Sequence, residues 1–252
     1  MRYAIIFEED LMTTSQDTFA AQGYLVFENA LSADELALLR DSCQHLLDEP
    51  VDDGGEGGKH KIGLGEARRF LAHRHEEFPE LEKFLLSEKI GGILAACNGK
   101  DGLLFNEQFV VKGAGKGASF AWHQDGAYVG FDHAPYLTVW IAMDDATEEN
   151  GCVYLIPRDL TQNPDLDPHE WQEDSNELNG YFGTDTGTPM VCKAGTIVVF
   201  SSLTLHRSGP NVTDKPRRAY VCQYSPEPIC VPETGKPKRF AKPVAPPAAA
   251  LV

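Results

Sequence analysis

The first hundred residues carry hydrophobic positions at helical spacing, interrupted by one short apolar run. The segment DTFAAQGYLVFENAL predicts a short helix followed by a strand. Ser32 and Glu35 then form a capping box, and leucines recur every three or four residues, which predicts a second helix. Another helical region begins at Pro79 and ends at an Asn-Gly pair, with Gly91 and Gly92 as candidate break points. The N-terminal third is therefore predicted to be largely helical.

After Gly102 the pattern changes from helical spacing to short strands. Six apolar or alternating runs follow within about 125 residues, separated by Gly, Pro, Asn and Asp turns. The runs are LLFNEQFVVK, APYLTVWIAM, GCVYLIP, GTPMVCKA, GTIVVFSSLTLH and RRAYVCQYS. Short strands at this spacing predict an antiparallel sandwich or jelly roll. We therefore expect a mainly β fold of the α+β class, with a cupin-like jelly-roll core and flanking helices.

Two segments lack any hydrophobic period. Residues 52–65 read DDGGEGGKHKIGLG, and their six glycines predict a loop. From Pro226 onwards Pro, Ala and Lys dominate, which predicts extended or disordered chain. Because 252 residues suit one β-rich domain, we expect a single domain over residues 1–225 and a tail over 226–252.

Composition and charge narrow the class of protein. With 42% hydrophobic and 24% charged residues the chain is typical of soluble proteins, and it has no run of about 18 apolar residues that could span a membrane. Because the N-terminus lacks a signal-peptide pattern, we expect a cytoplasmic protein with its six dispersed cysteines reduced. A formal net charge of −16 disfavours nucleic acid and membrane surfaces as partners and leaves a small-molecule substrate. No pattern in the sequence indicates an oligomeric state.

A candidate metal site begins in the segment WHQDGAYVG. His123 and Asp125 stand two residues apart after a strand, so on extended chain their side chains share one face. Such a tripeptide alone is a weak signal in a chain with eight histidines. His206 offers a third ligand. It ends the apolar run TIVVFSSLTLH, where burying a polar side chain costs free energy unless that side chain has a partner. Two imidazoles and one carboxylate form the facial set that binds iron(II) and leaves coordination positions open.

An arginine follows the last candidate ligand. Arg217 lies eleven residues after His206, across a turn predicted to join two antiparallel strands, so its guanidinium is expected near the metal. A planar, permanently charged fork suits a carboxylate. Arg218 is a competing candidate, because neighbouring residues on a strand face opposite sides.

Together these segments resemble the phytanoyl-CoA dioxygenase family of iron(II)/2-oxoglutarate oxygenases, which is built on a double-stranded β-helix. The resemblance covers roughly residues 17–225. GYLVFENALSADELALL resembles the family's N-terminal strand and helix, and WHQDGAYV its first metal motif. LTVWIAMDDATEENG resembles the central strand and turn, and LHRSGPNVTDKPRRAY the last ligand and the cosubstrate arginine.

The resemblance implies a role for each site residue. It implies three iron(II) ligands, a partner for the distal carboxylate of 2-oxoglutarate, a residue assisting that partner, and two residues lining the cosubstrate pocket. These are, in that order, His123, Asp125 and His206; Arg217; Ser208; and Trp140 and Gln108. The family's spacing favours Arg217 over Arg218. The implied reaction uses dioxygen to hydroxylate a small metabolite and converts 2-oxoglutarate to succinate and carbon dioxide. Because related halogenases replace the carboxylate ligand with a small residue, Asp125 favours hydroxylation.

One departure and one charged segment bear on the substrate. Arg158-Asp159-Leu160 stands where relatives often carry Gly-Ser-His, so a substrate contact placed there does not carry over. Five cations and three histidines between Lys59 and His75 concentrate positive charge in an acidic chain. Either they form a solvated face or, as we hypothesise, Arg68 and Arg69 hold an anionic group of the substrate when this segment closes over the site.

Other functions stay open at this point. A metal cupin that catalyses isomerisation or hydrolysis without a cosubstrate would keep the three ligands and have no use for Arg217. A non-catalytic small-molecule binding jelly roll would carry the polar cluster as a vestige. In the same way, Trp140 is either a wall of the cosubstrate pocket or core, and Tyr128 either binds substrate or packs.

Overall fold

A computed structural model describes residues 2–3, 9–49, 67–115 and 119–247 of the chain. The predicted glycine loop 52–65 lies outside the described residues. Within those ranges no helix is long and apolar enough to cross a membrane.

The described part of the chain contains four α-helices and fourteen short strands. The helices are α1 (Glu9–Gln22), α2 (Ala33–Asp48), α3 (Pro79–Leu85) and α4 (Glu88–Asn98). The strands are β1 (Arg2–Tyr3), β2 (Tyr24–Phe27), β3 (Arg68–Ala72), β4 (Leu103–Lys112), β5 (Phe120–His123), β6 (Leu137–Ala142), β7 (Val153–Leu155), β8 (Glu170–Gln172), β9 (Glu177–Asn179), β10 (Thr188–Pro189), β11 (Ile197–Ser201), β12 (His206–Ser208), β13 (Arg217–Ser225) and β14 (Lys242–Pro243). The helical N-terminal third and the capping box of α2, with Ser32 as N-cap, are confirmed.

Two sheets form the jelly roll. The large sheet has the strand order β1-β2-β11-β6-β13-β4-β14, and β3 pairs with the other half of β4. The small sheet has the order β10-β7-β12-β5, and β8 and β9 form a separate hairpin. Except for the parallel pair β1 and β2, the pairings among the described strands are antiparallel. The predicted antiparallel jelly roll is therefore confirmed.

The two faces of the large sheet belong to different cores. On β6, Val139 and Ile141 pack with residues of the helices, whereas Trp140 and Ala142 pack with small-sheet residues such as Leu155. Because successive side chains of a strand point to opposite faces, each central strand serves both cores. The helices thus cover the outer face of the large sheet, and the space between the sheets is left for the site.

The second helical region breaks at a different place from the predicted one. The break falls at Ser87, whose side chain caps α4, and both Gly91 and Gly92 lie buried inside that helix. A Cβ atom on Gly91 would overlap the carbonyl oxygen of Ala245. This glycine therefore lets the C-terminal segment approach α4, rather than ending a helix.

The C-terminal segment packs against the domain as far as residue 247. β14 pairs with β4, Val244 is buried in the helix-side core, and Lys242 Nζ binds Glu82 Oε1 at 2.6 Å. Ile229 is buried in a smaller cluster near β6. The sequence predicts extended or disordered chain from Pro226 onwards. Most of the described part of this segment is without regular structure, but isolated apolar residues attach it to the domain.

Candidate metal centre

Three polar side chains converge between the two sheets. His123 is the last residue of β5, and His206, the first residue of β12, is paired directly with it. Asp125 begins a short 3-10 turn after β5. Its Oδ1 atom lies 3.5 Å from Nε2 of each histidine, and one ligating atom from each residue lies within 4.8 Å of the others. Three donor atoms therefore surround a volume of the size that one metal ion needs.

Two local predictions about this region are wrong. The sequence predicts one strand for TIVVFSSLTLH, but β11 ends at Ser201 in the large sheet and β12 begins at His206 in the small sheet. The Ser201 hydroxyl accepts a hydrogen bond from the N–H of Leu203 at 3.2 Å, which favours a turn over a continuous strand. Asp125 lies in a 3-10 turn rather than on extended chain, and the N–H of Gly126 donates to a carbonyl of the same β11–β12 turn. The two turns together bring the three candidate ligands close to one another.

Backbone carbonyls orient both histidines. Nδ1 of His123 donates to the carbonyl of Ala121 at 2.8 Å, and Nδ1 of His206 donates to that of Thr204 at 3.1 Å. A ring whose Nδ1 carries the proton keeps a lone pair on Nε2 for a metal. Burial, reinforced by the neighbouring His206 ring, lowers the pKa of His123. The lowered pKa favours the neutral imidazole that a metal ligand requires, and the carbonyl of Ala121 fixes which nitrogen carries its proton.

Asp125 is held as a carboxylate with one oxygen free. Burial opposes its ionisation, but a proton on the ring of His206 or His123 outweighs burial and holds the pKa of Asp125 well below the ordinary value. The hydroxyl of Thr138 donates to Oδ2 at 2.6 Å, so Oδ1 is left facing the two histidines. Two neutral imidazoles and one carboxylate oxygen are the donor set that suits non-haem iron(II).

Arg217 is a buried guanidinium that is only partly hydrogen-bonded. It is 1% exposed, and its Nη2 atom donates to the carbonyl of Gly151 at 2.6 Å. Nε and Nη1 have no hydrogen-bond partner among the described residues. Burial lowers the pKa of Arg217 to about 10, so the group stays charged at neutral pH. Because a buried charge needs a partner, this residue fits the carboxylate of a ligand such as 2-oxoglutarate.

Arg218 faces the other side of β13. Its Nε and Nη2 atoms donate to the carboxylate of Asp144 at 2.9 and 2.8 Å, so its charge is already paired. Of the two arginines, Arg217 therefore stays the candidate partner for a carboxylate. The prediction that the strands of His206 and Arg217 form a hairpin is wrong. These strands, β12 and β13, belong to different sheets, and residues 209–216 cross between the layers.

Three buried basic side chains stand side by side on the inner face of the large sheet. Arg68, Lys112 and Arg217 are paired in register on β3, β4 and β13, and each is at most 1% exposed. Burial, with Arg217 and Arg68, lowers the pKa of Lys112 to about 6. Arg68 forms an ion pair with Glu177 and lies 4.3 Å from the centre of the Phe120 ring. Within the described part of the predicted basic segment, Arg68 and Arg69 thus belong to the sheet.

The other predicted site residues have distinct surroundings. Trp140 is buried, with its ring centre 5.7 Å from Cζ of Arg217, and pairs with Val221, which pairs with Gln108 on its other side. Ser208 is buried on β12. Their roles towards the cosubstrate stay predictions.

Two residues near the site are engaged elsewhere. The hydroxyl of Tyr128 accepts a hydrogen bond from the N–H of Leu178 at 3.0 Å. Arg158, in the departure from the family pattern, binds Asp167 at 2.7 Å and orders its own loop.

Two residues beside the site were not predicted from the sequence, Thr138 and Glu177. Thr138 could have been found, because it is a polar residue inside an apolar run.

An antiparallel jelly roll with two histidines, an aspartate and a buried arginine between its sheets defines the class of iron(II)/2-oxoglutarate oxygenases. Among solved structures, the fold matches that of EvdO2 from Micromonospora carbonacea var. aurantiaca, complexed with 2-oxoglutarate. The TM-score is 0.68 at 24% identity, and the match covers 98% of this chain and 97% of that one.

The chain belongs to the phytanoyl-CoA dioxygenase (PhyH) family, which it matches over residues 19–219. It is 30% identical over 160 residues to a 2-aminoethylphosphonate dioxygenase from an uncultured bacterium, which is 62% of this chain and 59% of that protein. It is also 30% identical over 223 residues to a methylphosphonate hydroxylase from Gimesia maris, covering 85% of this chain and 81% of that protein. Family membership makes the chain a dioxygenase that uses iron and 2-oxoglutarate.

Proposed function

We propose that this chain hydroxylates a small anionic metabolite, and that His123, Asp125 and His206 hold its iron. The observation that carries the proposal is Arg217, which is buried and charged, and has two donor atoms without a partner among the described residues. A cupin isomerase or hydrolase without a cosubstrate has no use for this costly group, and neither has a vestigial binding module. A dicarboxylate cosubstrate that reaches from the metal to Arg217 would give this buried charge a partner.

Positive charge on the inner face supports an anionic substrate. The row of Arg68, Lys112 and Arg217 contains two guanidinium groups and one amine, and Glu177 pairs with one of them, Arg68. An anion bound beside the row would restore the charge that burial removes from Lys112. Phe120 joins Arg68 to the metal site, because its ring lies 4.6 Å from that of His123. The two relatives named above are named for phosphonates, which are small anions. A polyanionic thioester is disfavoured by the net charge of −16.

The protein residues orient the reactants and exclude water. Bound iron(II), 2-oxoglutarate and dioxygen supply the oxidising chemistry, with release of succinate and carbon dioxide. The rings of Phe120 and Phe200 lie 4.6 and 4.5 Å from those of His123 and His206 and cover the imidazoles. Carbonyls hold Nδ1 of each imidazole, so Nε2 points at the site before any ligand binds.

Succinate formation tests the proposed reaction. The purified protein is loaded with iron(II), supplied with 2-oxoglutarate and oxygen, and offered a panel of small phosphonates, carboxylates and amino acids. Substrate-dependent succinate is expected with an anionic member of the panel. No succinate with any member, together with no charge-transfer absorption when iron(II) and 2-oxoglutarate are combined without oxygen, would reject the proposal.

The anionic substrate is tested by a matched pair of arginine variants. Arg68 faces the site side of β3 and Arg69 the opposite side, since neighbours on a strand alternate. Arg68→Met should raise the KM for the substrate, whereas Arg69→Met should not, and Arg68→Lys controls for folding by keeping a charge beside Glu177. A rise confined to the KM for 2-oxoglutarate would assign Arg68 to the cosubstrate and remove this support for an anionic substrate.

A further inference from the structure

A continuous line of polar side chains crosses the inner face of the large sheet and ends at Asp125. Asn106, Gln223 and Thr138 are paired in register on β4, β13 and β6 and are at most 7% exposed. Asn106 Nδ2 donates to Gln223 Oε1 at 2.8 Å, and Gln223 Nε2 donates to Thr138 Oγ1 at 3.4 Å. Thr138 Oγ1 donates to Asp125 Oδ2 at 2.6 Å. At the far end, His73 Nε2 lies 2.7 Å from Asn106 Oδ1. We call His73, Asn106, Gln223 and Thr138 the polar relay.

One assignment of donors and acceptors satisfies the polar relay. An ionised carboxylate only accepts, so the single hydroxyl proton of Thr138 is committed to Asp125. Thr138 must then accept from the amide nitrogen of Gln223, which turns the amide oxygen of Gln223 towards Asn106. The amide nitrogen of Asn106 is used in this bond, so its oxygen accepts from Nε2–H of His73. Every member donates in the direction of the metal ligand.

The polar relay determines which oxygen of Asp125 faces the metal site. Oδ2 is bound to Thr138, and Oδ1 lies 3.5 Å from Nε2 of His123 and of His206. With Oδ2 committed, these residues offer three donor atoms, and a facial set of three leaves positions open for other ligands. A released Oδ2 would be a fourth donor that competes with those ligands.

The far end of the polar relay lies on a strained turn. His73 has φ 60°, in the left-handed region that side-chain-bearing residues rarely adopt. Its own N–H donates to the carbonyl of Glu107 at 3.1 Å, which ties this turn to β4 beside Asn106. Such strain persists only where surrounding contacts impose it. The turn holds the imidazole against Asn106 although His73 lies at the surface.

We propose that the polar relay positions Asp125 as a ligand through one oxygen. Thr138 acts on the carboxylate directly, and Gln223, Asn106 and His73 act through Thr138. The inference rests on the metal site proposed above and adds four positioning residues to it. Polar partners of this kind commonly change metal affinity when they are removed, because they orient the ligand and set its basicity.

Thr138→Val and Thr138→Ser form the matched pair that tests the polar relay. Valine keeps the shape and removes the hydroxyl, whereas serine keeps the hydroxyl. Affinity is measured by anaerobic titration with iron(II), and coordination by the visible spectrum of cobalt(II) in the same site. Thr138→Val should weaken metal binding by about 10- to 100-fold and alter the cobalt spectrum. Thr138→Ser should retain the affinity and spectrum of the wild type.

Gln223→Met tests the next link. It should shift affinity in the same direction by less than Thr138→Val, because the 3.4 Å contact between Gln223 and Thr138 is the longest in the polar relay. If Thr138→Val lowers the melting temperature but leaves metal affinity and spectrum unchanged, the hydroxyl only satisfies a buried carboxylate and the inference is overturned. A wild-type protein that binds neither metal would overturn the metal site and the polar relay together, which distinguishes the two failures.

Discussion

Replacing Arg217 with methionine should distinguish the effect of a buried guanidinium on protein stability from its effect on the binding of 2-oxoglutarate. Two of its donor atoms, Nε and Nη1, have no partner among the described residues. An unsatisfied buried donor costs about 1–3 kcal/mol, and more when the group is charged, whereas losing the bond to Gly151 costs about 1 kcal/mol. Methionine fills similar space without polar atoms. The ligand-free Arg217→Met variant should therefore be more stable than the wild type, by about 1–4 kcal/mol.

The same change should remove most of the affinity for 2-oxoglutarate. Truncating one partner of a buried, hydrogen-bonded charge pair costs about 2–5 kcal/mol. At 25 °C this corresponds to an increase in Kd of roughly 30- to 5,000-fold. Stability without ligand and stabilisation by ligand are thus expected to change in opposite directions.

Both quantities can be measured without turnover. Chemical denaturation of the metal-free protein gives the free energy of unfolding, and a difference of 1 kcal/mol moves Tm by about 2–4 °C for a chain of this size. Calorimetry with manganese(II) in place of iron gives the Kd of 2-oxoglutarate. Arg218→Met is the control, because Arg218 faces the outer side and pairs with Asp144. It should lose about 1 kcal/mol of stability and keep the ligand affinity.

Two results would refute the reasoning. If Arg217→Met is less stable than the wild type and still binds 2-oxoglutarate, the guanidinium is a structural group. If Arg218→Met loses the affinity instead, the inner face of β13 has been assigned to the wrong residues.

Two further predictions concern the metal and the C-terminal segment. His206→Ala should abolish tight iron(II) binding in an anaerobic titration, because it removes one of three ligating atoms, and unchanged affinity would exclude this residue as a ligand. Gly91→Ala should destabilise the protein by about 1–3 kcal/mol in chemical denaturation and leave metal affinity intact, because the new Cβ meets the carbonyl of Ala245. A variant as stable as the wild type would show that this contact is loose, since alanine otherwise favours a helix.

Features fixed by neighbouring residues could be predicted from the sequence. The capping box at Ser32 and the helix after it depend on residues three or four apart, and both are present. The six strand runs also depend on local pattern and turn residues, although GTPMVCKA forms only the two-residue strand β10. The three candidate ligands could be selected from the sequence because a metal site combines specific residue types with strand ends.

Features set by long-range pairing could not be predicted. All but one residue of β13 is buried, so alternation gives no sign of which arginine faces inward. Arg218 is outward because Asp144, far away in sequence, accepts its hydrogen bonds. Likewise the apolar run that ends in His206 gives no sign of changing sheets, because both halves are equally buried. Thr138 needed the register of β6 and β13 before its polar partners became evident.

The inner face of β13 relates the proposed cosubstrate to the polar relay. Its inward residues run from Arg217 through Ala219 and Val221 to Gln223, so a charged end and an amide end are separated by small apolar side chains. Because the two ends involve different residues, damage to them should differ: loss of Arg217 should weaken the ketoacid and spare the metal, whereas loss of Thr138 should weaken the metal and, through it, the ketoacid. If the metal holds one end of the ketoacid, ketoacid binding should depend on the metal ligands, whereas metal binding should not depend on Arg217.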